Sequence, residues 1–295
     1  MLRKVVIPAA GLGSRLLPAT KEQPKEMLPV FSRLANGDAG VKPLLQMIFE
    51  QLYNSGFREF CFIVGRGKRA IEDHFTPDQK FLNLLKGAGK IDLTTDLESF
   101  YMKLANSSII WINQPEPKGF GDAVLLAQPF VRDERCLVHA GDTFIISEND
   151  GHLRSLMDAN ERFNADAIFL VQEVENPRQY GVIEVKEVEK GIYRVEKAVE
   201  KPEKPPTNLA IMPVYIFRPT IFNALQETLP GKGGEIQLTD AIQKMIEWGL
   251  NVYALRLGLG DIRLDIGSPE TYWQALSISH QQFFKKNKGL TNDKL

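Results

Sequence analysis

The sequence predicts an α/β fold: a mixed, mainly parallel sheet with a small β subdomain inserted into it. Three observations carry that prediction. Short apolar, β-branched runs alternate with segments of helical spacing, the rhythm of strands joined by crossover helices. The first of these runs is apolar at almost every position and stops at glycine, as a strand covered on both faces does. Between residues 172 and 206 the rhythm breaks into two closely spaced strand-like runs and a proline-rich exit.

Residues 4–10 (KVVIPAA) supply the first strand, and similar runs recur at 59–64 (EFCFIV), 108–113 (SIIWIN), 136–140 (CLVHA), 167–171 (AIFLV) and 209–217 (LAIMPVYIF). Helical spacing falls between them at 44–54, 68–74, 121–127 and 153–164, and again at 269–276. Residues 181–185 and 192–199 read as antiparallel strands joined at Glu189-Lys190-Gly191 and closed by KPEKPP. Such an excursion suits a lid or one wall of a cleft. Residues 33–41 (RLANGDAGV) read as a surface loop. One domain is expected over 1–276, with 277–295 as a helix end and a mobile polar tail.

The 295 residues suffice for a substantial core, and a formal net charge of −1 gives no global field that recruits nucleic acid or an anionic membrane. Any phosphate binding must then be local. Cys61 and Cys136 both sit inside apolar runs, which suits small core residues rather than paired ligands. No signal peptide and no membrane-length apolar stretch is read, so a cytoplasmic location is expected. No internal repeat is found.

The glycine-rich turn after the first strand admits three readings. A dinucleotide fingerprint fails because its third glycine position holds Leu16, and no Walker-type loop forms at Gly65-Arg66-Gly67-Lys68 or Gly231-Lys232-Gly233. The remaining reading takes the whole of 8–29, PAAGLGSRLLPATKEQPKEMLP. Backbone N–H groups around Ala10, Gly11 and Gly13 form an anion nest for a triphosphate, Arg15 offers a planar fork for its β and γ groups, and Lys25 a point charge at the α-phosphate. Downstream, Gln114 in NQPEPKGFGDA carries the paired donor and acceptor that read a base edge, with small Gly119 close by. Asp142 follows a buried strand in HAGD, at the carboxyl edge where open sheets hold ligands, and a hard carboxylate there suits Mg²⁺. His139 reads as a core residue.

The segment 11–29 resembles the signature of the sugar nucleotidyltransferase family, in the form of its bacterial and archaeal uridylyltransferase branch, with Ser14 where threonine is more usual. The resemblance runs from Lys4 to about Leu276. It implies a Rossmann-like sheet of glycosyltransferase-A type, and transfer of a uridylyl group from UTP to glucose 1-phosphate with release of pyrophosphate. It also implies that Gln114 meets the uracil with Gly119 beside it, and that Asp142 and Asp265 share one Mg²⁺. Gly181 and Glu200 would address sugar hydroxyls and Lys201 the sugar phosphate. GEIQLTD at 234–240 would support the sugar pocket, with Thr239 or Asp240 capping a helix over 241–248, and Asp122 stands where many bacterial members have histidine. A homodimer or homotetramer is implied. Two alternatives stay open: use of dTTP, and a non-catalytic protein that binds NDP-sugars. Retention of Arg15, Lys25, Asp142, Glu200, Lys201 and Asp265 argues against the second.

Overall fold

The computed structural model describes residues 2–34 and 36–284. In chain order the strands are β1 (Lys4–Ala9), β2 (Pro29–Arg33), β3 (Ala39–Pro43), β4 (Glu59–Gly65), β5 (Ser108–Gln114), β6 (Cys136–His139), β7 (Thr143–Ile146), β8 (Ala167–Glu173), β9 (Gly181–Glu189), β10 (Ile192–Glu200), β11 (Leu209–Phe217), β12 (Val252–Arg256) and β13 (Ile262–Asp265). The helices are α1 (Leu44–Asn54), α2 (Arg69–His74), α3 (Gln79–Gly87), α4 (Ile91–Ala105), α5 (Phe120–Leu125), α6 (Gln128–Val131), α7 (Gly151–Arg162), α8 (Thr220–Glu227), α9 (Leu238–Glu247) and α10 (Pro269–Phe284).

A nine-stranded sheet in the order β5-β4-β1-β6-β11-β8-β12-β10-β9 organises the chain. Along β1, Val5 and Ile7 enter the core on one face while Val6 enters the core on the other, which is why the strand is apolar without alternation. The sheet is mixed: β5, β4, β1 and β6 run parallel, as do β8 and β12. β11 runs antiparallel to both β6 and β8. On the first face, Phe49, Phe60, Phe75 and Phe100 pack ring against ring, Phe49 and Phe60 with centroids 4.8 Å apart. Both cysteines are buried, and burial pushes each thiol up to about 12, as small core residues require.

The β9–β10 hairpin spans more residues than its sequence pattern suggested and is continuous with the main sheet. β10 joins β12, with Tyr193 opposite Ala254, while Val182 of β9 pairs Ala210 of β11. Residues 33–41 are loop only in part, since Arg33 ends β2 and residues 39–41 open β3. β2 and β3 form an antiparallel hairpin with Val30 opposite Lys42, because the buried positions of PVFSR alternate in a short strand that a glycine-rich stretch disguised. The C-terminal helix continues beyond 276 to Phe284, where Ser279 Oγ accepts a hydrogen bond from Phe31 N at 3.3 Å and ties α10 to β2. The expected polar tail at 285–295 lies outside the described residues. Among the described residues no helix is long and apolar enough to cross a membrane.

Candidate active site

The carboxyl ends of β1, β6 and β5 open on one side of the sheet, and the chain after each carries a predicted site residue. After β1, Gly13 adopts φ 65°, ψ 21°, and its carbonyl accepts hydrogen bonds from Leu16 N at 2.9 Å and Thr20 Oγ1 at 2.8 Å. Gly13 therefore shapes the turn, a conformation that glycine adopts without strain. Lys25 and Glu26 lie in a single 3-10 turn, Lys25–Met27. The Lys25 side chain is 13% exposed, and its ammonium donates to Asp142 Oδ2 in a short charge-assisted contact. Glu26 is 2% exposed and accepts from the Nζ of Lys68, itself buried in the segment before α2, at 2.8 Å.

Two aspartates meet through a two-stranded ladder. Asp142 precedes β7, whose first residue Thr143 pairs directly with Asp265 at the end of β13. Thr143 Oγ1 stands 3.5 Å from Oδ1 of each aspartate. Burial works against ionisation of Asp142, yet the Lys25 ammonium holds its carboxyl below the usual range. Burial and then the charge of Asp142 push Asp265 upward. Burial also works against the charge on Lys25, and the carboxylates of Asp142 and Glu26 outweigh it, so the ammonium stays protonated. A Cβ on Gly267 would fall 2.8 Å from Asp265 Oδ2 and 3.2 Å from Arg15 Nη2, so guanidinium and carboxylate converge on that glycine. His139 is a core residue, kept neutral by burial that pushes it down to about 4, with Nδ1 donating to Ala140 O at 2.8 Å.

Two cavities of about 270 Å³ each adjoin here, and Asp142 and Phe120 line both. The first collects Ala10, Gly11, Lys25, Gln114 and Gly119. The second collects Gly181, Glu200, Lys201, Asp265 and Arg15. Arg15 thus lies on the side of the predicted sugar residues, whereas Ala10, Gly11, Leu12 and Ser14 line the first cavity and Gly13 lines neither. In the second cavity Glu200 Oε2 accepts from Thr239 Oγ1 at 2.6 Å, and Oε1 lies 3.0 Å from Lys201 Nζ. Gly181 is opposite Glu200 across the β9–β10 pair. A Cβ there would reach 2.6 Å from Thr239 Oγ1, so the glycine is what lets the wall close this tightly.

Several residues of the site were not singled out from sequence. Glu26 lies inside the 8–29 segment without a role of its own, and Lys68 reads from sequence only as the start of a helical segment beside a glycine pair that makes no Walker loop. Arg263 Nη2 donates to Tyr180 Oη at 2.8 Å and fixes one wall of the second cavity, with no local pattern to announce it. Neither Thr239 nor Asp240 caps the following helix: α9 starts earlier, at Leu238, behind Gln237, and Thr239 turns to Glu200 instead. Gln114 also differs from its expected use as a paired donor and acceptor, because its amide nitrogen is already engaged, by Asp122 Oδ2 at 2.7 Å and Gly119 O at 3.2 Å.

Gly119 carries a prediction. It holds φ 107°, and a Cβ would fall 2.7 Å from Ile236 O. The 117–121 loop is stitched to that same segment by Gly121 N to Ile236 O and Ile236 N to Lys118 O, both 2.8 Å, so the backbone has no room to yield. Gly119→Ala is expected to lower stability by about 1–3 kcal/mol, from backbone strain, and to weaken nucleotide binding. Thermal melts and a nucleotide titration check it, and a variant equal to wild type in both contradicts the loop's role.

A glycine-rich turn, two neighbouring aspartates and a divided cleft at the carboxyl edge of an open α/β sheet are the features that a nucleotide-handling transferase needs. The chain matches the nucleotidyl transferase family over residues 4–282 and belongs to that family. It is 38% identical over 294 residues to the UTP–glucose-1-phosphate uridylyltransferase of Pseudomonas aeruginosa, covering 98% of this chain and 99% of that protein. It is 43% identical over 251 residues to the protein of the same name from Bacillus subtilis, covering 83% and 81%. Among solved structures it resembles a UDP-glucose pyrophosphorylase complexed with UDP-glucose, with TM-score 0.81, 32% identity and 96% and 100% of the two chains covered. It also resembles a UTP-bound UGPase from Acinetobacter baumannii, with TM-score 0.83, 27% identity and 98% of each chain covered.

Proposed function

We propose that this chain transfers a uridylyl group from UTP to glucose 1-phosphate, forming UDP-glucose and pyrophosphate. The observation that carries the reading is Asp142 on the boundary of two adjoining cavities, one lined by the triphosphate turn and Gln114, the other by Gly181, Glu200 and Lys201. In this arrangement a phosphate oxygen of glucose 1-phosphate attacks the α-phosphorus of UTP in line. The new P–O bond forms as the bond to the β-phosphate oxygen breaks, and pyrophosphate leaves with that electron pair. The nucleophile is already an anion, so no general base is needed, and the rate comes from alignment and charge neutralisation.

Lys25 holds a full charge beside the reacting α-phosphate, Gln114 and Gly119 bound the base, and Ala10, Gly11 and Gly13 form the triphosphate turn. Gly181 and Glu200 take the sugar hydroxyls, Lys201 takes its phosphate, and Arg15 guards the junction near Asp265. Asp142 and Asp265 would hold Mg²⁺. Among the described residues no group of three or more His, Cys, Asp or Glu side chains forms a full metal cage. Two hard carboxylates, with Asp265 pushed upward by burial and then by the charge of Asp142, fit Mg²⁺, which keeps waters and shares phosphate oxygens. When bound, the cation supplies charge neutralisation on the phosphates.

The proposed working unit is residues 1–276 with the 172–206 segment as the sugar-side wall, and α10 is the proposed contact of a homodimer or homotetramer, Trp273 being 69% exposed on it. The activity belongs to the cytoplasm in this reading.

Pyrophosphate release from UTP, dTTP, CTP, ATP and GTP, each crossed with several sugar 1-phosphates, tests the reaction. UTP with glucose 1-phosphate is expected to be fastest, and chelation by EDTA to silence it until Mg²⁺ is restored. A faster alternative pair, or full activity in EDTA, overturns the substrate or the metal assignment respectively.

A further inference from the structure

We infer that Asp122 is a positioning residue that sets the base choice of the nucleotide cavity, by holding the Gln114 amide so that its oxygen, and not its nitrogen, meets the base. The inference rests on the nucleotide cavity proposed above. Gln114 closes β5, is 5% exposed, and lines that cavity. One end of its amide lies 2.7 Å from Asp122 Oδ2 and 3.2 Å from the carbonyl of Gly119. Both neighbours are acceptors, so that end must be the NH₂, whichever way an amide is first drawn. Its two hydrogens are then both used. Oε1 accepts none of the hydrogen bonds among the described residues, and the cavity is where it finds a donor.

An amide locked in this sense offers an acceptor alone. Uracil and thymine carry an N–H at ring position 3 and can donate to it, whereas cytosine presents a bare nitrogen there. Two acceptors facing each other leave both unsatisfied, which is the arrangement that discriminates most strongly. Of the two acceptors Asp122 makes the shorter, charge-assisted bond, at 2.7 Å against 3.2 Å for the carbonyl of Gly119, and so contributes the larger share of the orientation. A plainer role for Asp122 is an acidic residue in the first turn of α5, where negative charge favours the helix. The two roles separate experimentally, because only the first acts through Gln114.

The test uses the full chain and its Asp122→Asn, Asp122→Glu, Gln114→Ala and Asp122→Asn/Gln114→Ala variants. Dissociation constants for UTP and CTP are measured by titration calorimetry, alongside turnover with glucose 1-phosphate and thermal melts. In Asp122→Asn the neighbouring amide can itself donate, so Gln114 is free to turn. The UTP preference over CTP is then expected to fall about tenfold, the effect of one ordinary hydrogen bond. Turnover at saturating UTP should stay within about threefold, because the reacting phosphates are untouched. Asp122→Glu, which keeps the acceptor, should retain most of the preference. On the Gln114→Ala background the Asp122→Asn change should add less than about twofold, since the partner it acts through is gone.

An unchanged preference in a folded Asp122→Asn protein overturns the inference, and so does an undiminished effect on the Gln114→Ala background. If Asp122→Asn fails to fold, loss of the preference in Asp122→Glu overturns it. Failure of the wild type to release pyrophosphate overturns the proposed reaction instead, while the binding ratios still decide the role of Asp122.

Discussion

Replacing Lys25 with alanine is expected to lower the rate of pyrophosphate release about 10²- to 10³-fold, the scale set by removing one preorganised charge from a reacting centre. The structure makes Lys25 hard to substitute in kind. Its ammonium is 13% exposed, emerges from a tight 3-10 turn, and is fixed by Asp142 on the boundary of the two cavities. Its proton is secured by two carboxylates, Asp142 and Glu26, which raise its affinity for that proton against the cost of burial. Among the described residues no other ammonium lines the first cavity. Lys25→Arg should recover little, because a planar fork cannot occupy a niche shaped for a point charge on a flexible stem. Lys25→Ala also leaves Asp142 without the partner that keeps its carboxyl low. Circular dichroism and a melt must therefore accompany the kinetics, and near-normal turnover in a folded Lys25→Ala protein would remove this residue from the reaction.

How much of this was legible in the sequence depends on whether the signal was local. The turn at 8–29 was readable because glycines, arginine and lysine lie together along the chain, and the structure gathers Ala10, Gly11 and Lys25 in one cavity. The sheet was readable wherever a strand is covered on both faces, as β1, β4 and β8 are. β2 and β3 escaped notice because β2 buries only Val30 and Ser32 and β3 only Lys42, too few positions to stand out as strands. The pairing of Asp142 with Asp265 came from resemblance, since nothing near either residue announces the β7–β13 ladder that joins them. Long-range side-chain contacts were the least legible. Arg263 on Tyr180, Thr239 on Glu200 and Asp122 on Gln114 each depend on how separate elements pack, and Arg15 changes cavity for the same reason. A sequence can nominate residue types for a site, but the partner that orients each of them is a property of the assembled fold.

The largest stability effect is expected from the buried pair beneath the triphosphate turn. Glu26 and Lys68 are 2% and 7% exposed, joined at 2.8 Å, and a Cβ on Gly141 would sit 3.4 Å from Glu26 Cγ, so the pair braces both the turn and the approach to Asp142. Lys68→Met removes one partner only and leaves a carboxylate in the core, which should cost about 3–5 kcal/mol. Burial already pushes the Glu26 carboxyl up, with Lys68 and then Lys25 pulling it back. Without Lys68 it rises further, so in the variant the folded state binds a proton at pH values where the unfolded chain has released it. Stability then falls as pH rises above the unfolded value of about 4.3. The deficit of Lys68→Met relative to wild type should accordingly be larger at pH 8 than at pH 5 in urea titrations. A Glu26→Leu/Lys68→Met double variant removes both charges at once and should recover much of the loss, since an apolar pair in place of a buried ion pair is often neutral or better. A single variant that loses under about 1 kcal/mol, with no dependence on pH, would mean that water reaches the pair and that Glu26 is not the buried brace the geometry describes.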